Sequence, residues 1–411
     1  MSCKSRFNLK TLPSALLLAS CATIATQTSI AGATWPDLMI HLHGSGKAFL
    51  VDPTSDTVVA NLDTVKGGTL GTTTPDGRKV YVGGAAEGQR EVVVIDLAKK
   101  AVTGRIDTGA RPKHPLASPN GKLVGVNHWG LDDGKLRVTF IDTATDQIAK
   151  TVDVGVGGEG KGPTSMHNSW SADSRYFYTV DRVDNQFVVI DTQDWSVREA
   201  DVASKPHYPV PSPDGSEVWL VLEGVDRSNP PQVVVYDATS LQVKGTLNMP
   251  LEGEEVIEGH HGNFTQDGKH FMILNRGPGK DSRGREVAVF DAKTKQLVKR
   301  FITGSTGIGH AYNSPDGKYT MITNYGNNVV SIVDVTTMAP VKDLMIGTGR
   351  MGHVAYTPDG RYGYVSNDGD GNLFKVDMEK MEVVAEVETG KGKGGGQVLN
   401  VWTNVFEELP R

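Results

Sequence analysis

Short apolar runs ending in a hydrophobic residue and then Asp recur eight times along the chain. They are AFLVD to Asp52, VVVID to Asp96, VTFID to Asp142, FVVID to Asp191, VVVYD to Asp237, VAVFD to Asp291, VSIVD to Asp334 and LFKVD to Asp377. The copies stand 43 to 54 residues apart. Each is rich in β-branched residues and leads through a polar turn such as PTSD, TATD or AKTK into a second apolar stretch such as VVANLD, VTGRID or LVKRFI. A period near 45 residues with several strands in each repeat predicts the blades of a β-propeller.

A second pattern supplies a turn of the Ser/Thr-Pro-Asp-Gly kind. It reads TPDG from Thr74, SPNG from Ser118, SADS from Ser171, SPDG from Ser212, TQDG from Thr265, SPDG from Ser314 and TPDG from Thr357. Pro presets the first turn dihedral and Gly supplies the φ > 0 position, so each turn is expected to join the inner strand of a blade to its second strand. Seven turns against eight Asp runs imply that the chain enters partway through a blade. The missing inner strand is then expected from GGQVLNVWT at 395–403, which closes the ring and leaves no sheet edge between first and last repeats. The fold class expected is all-β, an eight-bladed β-propeller closed by pairing of N- and C-terminal strands. Seven blades is the fallback, and a β-solenoid the alternative.

Composition adds bounds rather than detail. Of 411 residues, 38% are hydrophobic and 22% charged, with 48 Gly and 20 Pro, which suits a folded, turn-rich domain. The net charge of −6 argues against a nucleic-acid partner, which would call for a basic field. Lys4, Arg6 and Lys10 precede an apolar run from Leu12 to about Ala25, and Ala31, Gly32 and Ala33 form a small-residue cleavage site. Residues 1–33 therefore read as a secretory signal peptide and residues 34–411 as the propeller, placing the protein in the periplasm. LASC ending at Cys21 offers a lipoprotein route instead. Cys3 and Cys21 both fall within this leader, so cleavage at the AxA site leaves no thiolate ligand and no CxxCH haem attachment. No later stretch is long and apolar enough for a transmembrane segment.

Counting back from the turns exposes a histidine register. His114, His167, His261, His310 and His353 lie four residues before the first turn residue, His207 lies five before, His260 adjoins His261, and Leu70 breaks the series in the first repeat. Inner strands of a propeller run along the axis, so these imidazoles are expected to converge at one mouth of the channel. Duplication of a His-bearing repeat could also produce the register without present function. The ends of the second strands face the same mouth and read His41 and His43, Asn127 and His128, Asp181 and Arg182, Glu223, Asn275 and Arg276, Asn324 and Tyr325, and Asn367 and Asp368. His41 and His43, two apart on one strand, share a face. Arg111, Lys113, Arg182 and Arg276 lie close to the histidines in sequence and would hold a carboxylate-bearing cofactor or steer a small inorganic anion. Imidazole without thiolate points to copper, zinc, nickel or iron, with Cu(II) favoured by intrinsic affinity. The expected metal-binding set is His41, His43, His114, His260, His261, His310 and His353.

The repeats, with VYVGG, VIDL and SPDGKY, resemble the YVTN-type and cytochrome d1-type bacterial propellers over essentially the whole chain after the leader. GPTSMHNSWSADSRYF around His167 and SKPHYPVPSPDGSEVW around His207 are similar to the consecutive blades that place two histidines over haem d1. That resemblance implies a catalytic, substrate-side pair in His167 and His207. The surplus of axial histidines is similar instead to copper-cluster propellers such as nitrous oxide reductase and thiocyanate dehydrogenase. The cofactor is thus either copper ions or haem d1, and the choice is open at this point. The expected function is a periplasmic redox propeller, an oxidoreductase or a cofactor-handling relative, acting on a small inorganic anion with a periplasmic electron-transfer partner. The alternative is a non-catalytic YVTN-type scaffold; a lactonase-like hydrolase is a third reading.

Overall fold

Each repeat becomes one four-stranded antiparallel sheet, and eight such sheets form a ring. The structure is a computed structural model that describes residues 38–155, 164–165, 167–203, 205–224, 228–249, 258–277, 283–390 and 392–401. Residues 1–33, read from the sequence as a signal peptide, and the lipid-attachment alternative at Cys21 lie outside the described residues. Among those described there is no helix.

Blades one to seven follow in chain order, spanning residues 70–107, 112–154, 169–201, 206–248, 259–302, 308–345 and 351–387. Blade eight is composite. Its inner strand, Gly395–Asn400, pairs with Met39–His43, which pairs in turn with Lys47–Asp52 and Thr57–Asp63. The expected closure by the two ends of the chain is therefore present, and the seven-bladed fallback falls away. Gln397 extends the closure into blade one, its side-chain oxygen accepting from Gly71 N–H at 2.9 Å.

The turn motif works as its residue types dictate. The hydroxyl of the first residue donates to the side-chain oxygen two residues on, at 2.6 Å for Thr74 to Asp76, Ser212 to Asp214 and Thr357 to Asp359. The left-handed position is filled by glycine in six of the seven, for example Gly215 at φ 70°, and by Ser174 at φ 65° where SADS lacks one.

The core is divided into eight apolar clusters, one at each blade–blade boundary. The third strands explain the division. In VVVID, Val93 and Ile95 face blade eight with Val80 and Leu50, while Val92 and Val94 face blade two with Val124 and Val126. A strand buried on both faces reads as an unbroken apolar run rather than an alternating one, which is why these runs mark the repeats so clearly.

Candidate functional site: a histidine cluster on the axis

Six of the axial histidines sit in the first residues of the inner strands, where the strands leave regular pairing, and His167 lies two residues before the inner strand Ser169–Trp170 of blade three. The ladder between inner and second strands shifts register between Pro112 and His114, Pro206 and Tyr208, Gly259 and Gly262, Ile308 and His310, and Met351 and Val354. A bulge of this kind inserts extra residues and re-aims a side chain. Blade one, with Leu70 in the equivalent place, pairs without a shift.

Seven imidazoles from six blades consequently meet. Ring centroids are 4.4 Å apart for His114 and His167, 4.4 Å for His167 and His261, 4.3 Å for His207 and His260, 4.3 Å for His261 and His310, and 4.7 Å for His310 and His353. The Nε2 atoms of His167 and His261 stand 3.1 Å apart. Three groups bring their donor atoms within 4.8 Å of one another: His167, His207 and His261; His260, His261 and His310; and His207, Glu223 and His260. All seven rings are buried, His207 and His261 completely.

Burial holds every one of them below the ordinary imidazole range, and neighbouring rings or cations push in the same direction. His114, His167, His207, His260, His261 and His310 fall well below it. His353, desolvated and facing Lys113, is pushed down to about 3. Rings so placed are neutral near pH 7, the form that ligates a metal.

Several of these rings are oriented from outside. His207 Nδ1 lies 2.5 Å from Glu223 Oε1, and Arg182 grips the same carboxylate with two bonds at 2.9 and 2.7 Å. The Tyr312 hydroxyl is 2.5 Å from His353 Nδ1. Tyr325 OH stands 3.4 Å from His260 Nε2, and Glu258 lies 3.8 Å from His260 Nδ1.

Above the cluster opens a cavity of about 320 Å³, lined by His114, His167, His260, His310 and His353 together with Lys113, Trp129, Arg276, Tyr325, Arg350 and Asp368. The Lys113 ammonium lies 4.8 Å from the Trp129 ring centre, and burial beside Arg111 lowers its pKa to about 8. The Arg276 and Arg350 guanidiniums are 4.5 and 5.7 Å from the Tyr325 ring centre. Arg350 also pairs with Asp368 at 2.6 Å, and Arg276 with Glu258 at 3.3 Å.

The remaining residues singled out from the sequence lie elsewhere. His41 and His43 stay on the second strand of blade eight, where His41 Nδ1 meets the Thr389 hydroxyl and His43 Nδ1 the Ser45 hydroxyl, each at 2.7 Å. Neither belongs to the three donor groups. Arg111 donates to the Ala85 carbonyl at 2.9 Å, and Arg182 is committed to Glu223; neither lines the cavity. His128 donates from Nδ1 to the Ala110 carbonyl at 3.2 Å. Glu258, Tyr312 and Trp129 escaped the sequence reading. Glu258, two residues before His260, and Trp129, beside His128, were within reach of the motif; Tyr312 carried no signal.

Residues 128–322 match the family model described as "Cytochrome D1 heme domain", from the end of the second strand of blade two into blade six. No curated protein matches this sequence. Among solved structures, the chain is similar to dihydro-heme d1 dehydrogenase NirN in complex with DHE, at 18% identity and a TM-score of 0.70, covering 92% of this chain and 78% of that one. It is similar to hydrazine synthase of Kuenenia stuttgartiensis at 18% identity and a TM-score of 0.58, covering 76% and 95%. A eukaryotic initiation factor matches at 13% identity and a TM-score of 0.54, covering 89% and 98%. At these identities the likeness is one of fold, and a fold shared so widely carries no activity by itself.

Proposed function

We propose that this cytochrome d1-like β-propeller is a periplasmic redox protein whose seven axial histidines hold a cluster of metal ions, with copper the best match, beneath a cavity that receives a small inorganic anion. The convergence of His114, His167, His207, His260, His261, His310 and His353 carries the reading. Two nitrogens bound to one ion at about 2.0–2.1 Å, at angles between square and tetrahedral, stand about 2.9–3.4 Å apart. The His167–His261 separation of 3.1 Å falls inside that window. Seven buried, neutral imidazoles, each with its ring centre under 5 Å from a neighbour, bring several nitrogen donors to one place.

Ions in such a cluster would supply reversible electron exchange with a bound ligand. The chain's own residues do the rest. Lys113, Arg276 and Arg350 attract an anion into the cavity and hold it against the histidine layer, and the Tyr325 hydroxyl stands at its edge beside His260. Asp368 and Glu258 neutralise part of that positive charge, which favours a singly charged anion.

A second reading is favoured by the family match over residues 128–322. Haem d1 would be held in the same cavity by the cluster histidines, with Lys113, Arg276 and Arg350 meeting its carboxylates. The cavity, near the lower end of the range for small-molecule sites, is better matched to a small anion than to a macrocycle.

Metal analysis of the purified protein together with its optical spectrum tests the proposal. Copper in more than one equivalent without a Soret band supports the cluster. A Soret band supports haem. A colourless protein that takes up neither Cu(II) nor haem leaves the non-catalytic scaffold.

A further inference from the structure

We propose that Glu223 is a positioning residue that fixes the His207 imidazole in the tautomer whose Nε2 lone pair points into the axial cluster; this rests on the metal-binding reading above. Glu223 follows the second strand of blade four, Glu217–Leu222, and its backbone N–H is anchored to the Lys205 carbonyl at 3.0 Å. Its carboxylate is buried, at 7% exposure. Both oxygens are engaged by the Arg182 guanidinium, and Oε1 also lies 2.5 Å from His207 Nδ1.

The chemistry of the pair sets the tautomer. A carboxylate can only accept, so the shared proton belongs to His207 Nδ1, and a neutral ring protonated there carries its lone pair on Nε2. That Nε2 atom is fully buried and has no hydrogen-bond partner among the described residues. Its ring lies 4.9 Å from His167, 4.9 Å from His261 and 4.3 Å from His260, so the lone pair is offered where the other imidazoles converge.

Glu223 could instead be read as a ligand, since it forms a donor group with His207 and His260. The Arg182 clamp argues against that. Both carboxylate oxygens already accept charge-assisted bonds, Oε1 from both Arg182 and His207, so an ion there would compete with the guanidinium for the same negative charge. Carboxylates that hold a ligating histidine through its other nitrogen typically contribute ten- to a hundredfold in metal affinity. A looser Arg–Glu–His arrangement follows on the next blade, Arg276 at 3.3 Å from Glu258 and Glu258 at 3.8 Å from His260 Nδ1.

The experiment has two arms. In the metal-free protein, nitrogen-15 NMR of the histidine side chains is expected to show His207 protonated at Nδ1, and Glu223→Leu is expected to release it to a mixture of tautomers. In the second arm, Cu(II) alone is titrated in competition with a chromophoric chelator. Glu223→Leu is expected to lose about ten- to a hundredfold in affinity for the tightest-bound ion, and Glu223→Gln, which keeps an acceptor oxygen, to recover most of it. Because Glu223→Leu leaves the half-buried Arg182 guanidinium without its carboxylate, the double variant Arg182→Leu/Glu223→Leu is measured beside it and is expected to fold and to show the same loss. Nε2 protonation of His207 in the wild type, or unchanged Cu(II) affinity in both leucine variants, overturns the proposal. Failure of the wild type itself to bind Cu(II) overturns the cluster reading instead, while the tautomer arm still reports on Glu223.

Discussion

His167 and His261 are ninety-four residues apart in the chain, yet their Nε2 atoms stand 3.1 Å apart on the axis of the ring. His261 comes from the inner strand of blade five and His167 from just before the inner strand of blade three.

Replacing His167, His261 and His310 together by Ala is expected to abolish metal or haem uptake while leaving the sheet spectrum intact. The blade–blade clusters, with Val221, Val235, Phe271 and Ile273 among them, contain no axial histidine. Metal content and far-ultraviolet circular dichroism of the same preparation check both halves; retained uptake refutes the axial site.

Acid is expected to destabilise the metal-free protein. The cluster histidines titrate below 6.5 when folded and near 6.5 when unfolded, so below that pH the unfolded chain binds more protons. Stability therefore falls as pH drops from about 6.5 towards about 3, where His353 titrates, and is flat with respect to these groups above 6.5. Each ring that stays neutral contributes about 1.4 kcal/mol per pH unit over its window. Thermal melts between pH 7.5 and 4 in the presence of a chelator measure this, and a pH-independent midpoint would contradict it.

Lys113→Met and Arg350→Gln are each expected to weaken anion binding by about tenfold or more, the ordinary worth of a charge-assisted contact. Azide titrated into the copper-loaded protein gives the optical readout. The wild type should also lose azide affinity with rising salt. Equal affinity in the variants would show that the anion does not enter the cavity these residues line.

Gly125→Ala tests the packing of the ring. A Cβ there would overlap the Phe177 ring of the next blade, at the boundary that Phe140 and Trp170 also fill. Overpacking of this kind costs about 1–3 kcal/mol, so a lowered unfolding midpoint with unchanged metal content is expected.

Removal of the segment from residue 395 onward is expected to destroy cooperative unfolding. It takes away the inner strand of blade eight, and with it the Gln397 bond to blade one and the Leu399 and Val398 contacts on either side. Chemical denaturation of the truncated chain reads the effect directly.

The amino-acid sequence determined whatever repeats. Eight apolar runs ending in Asp, seven turns and one leftover stretch at 395–403 set the blade count and its closure, because a strand buried on both faces must be continuously apolar and a tight turn needs its Pro, Asp and Gly. The histidine register was legible for the same reason: a fixed distance from the turn fixes a height along the inner strand. What depends on neighbours across blades could be decided only by the tertiary structure. Bulges re-aim His114, His207, His260, His261, His310 and His353 toward one another, while His41 and His43, equally conspicuous in the sequence, remain on a second strand with Thr389 and Ser45. His207 and Glu223 belong to blade four and Arg182 to blade three, so the clamp that Arg182 places on that pair is a property of the packed blades. Periodicity records what each blade does alone; contacts between blades are set by packing, which leaves no local mark in the chain.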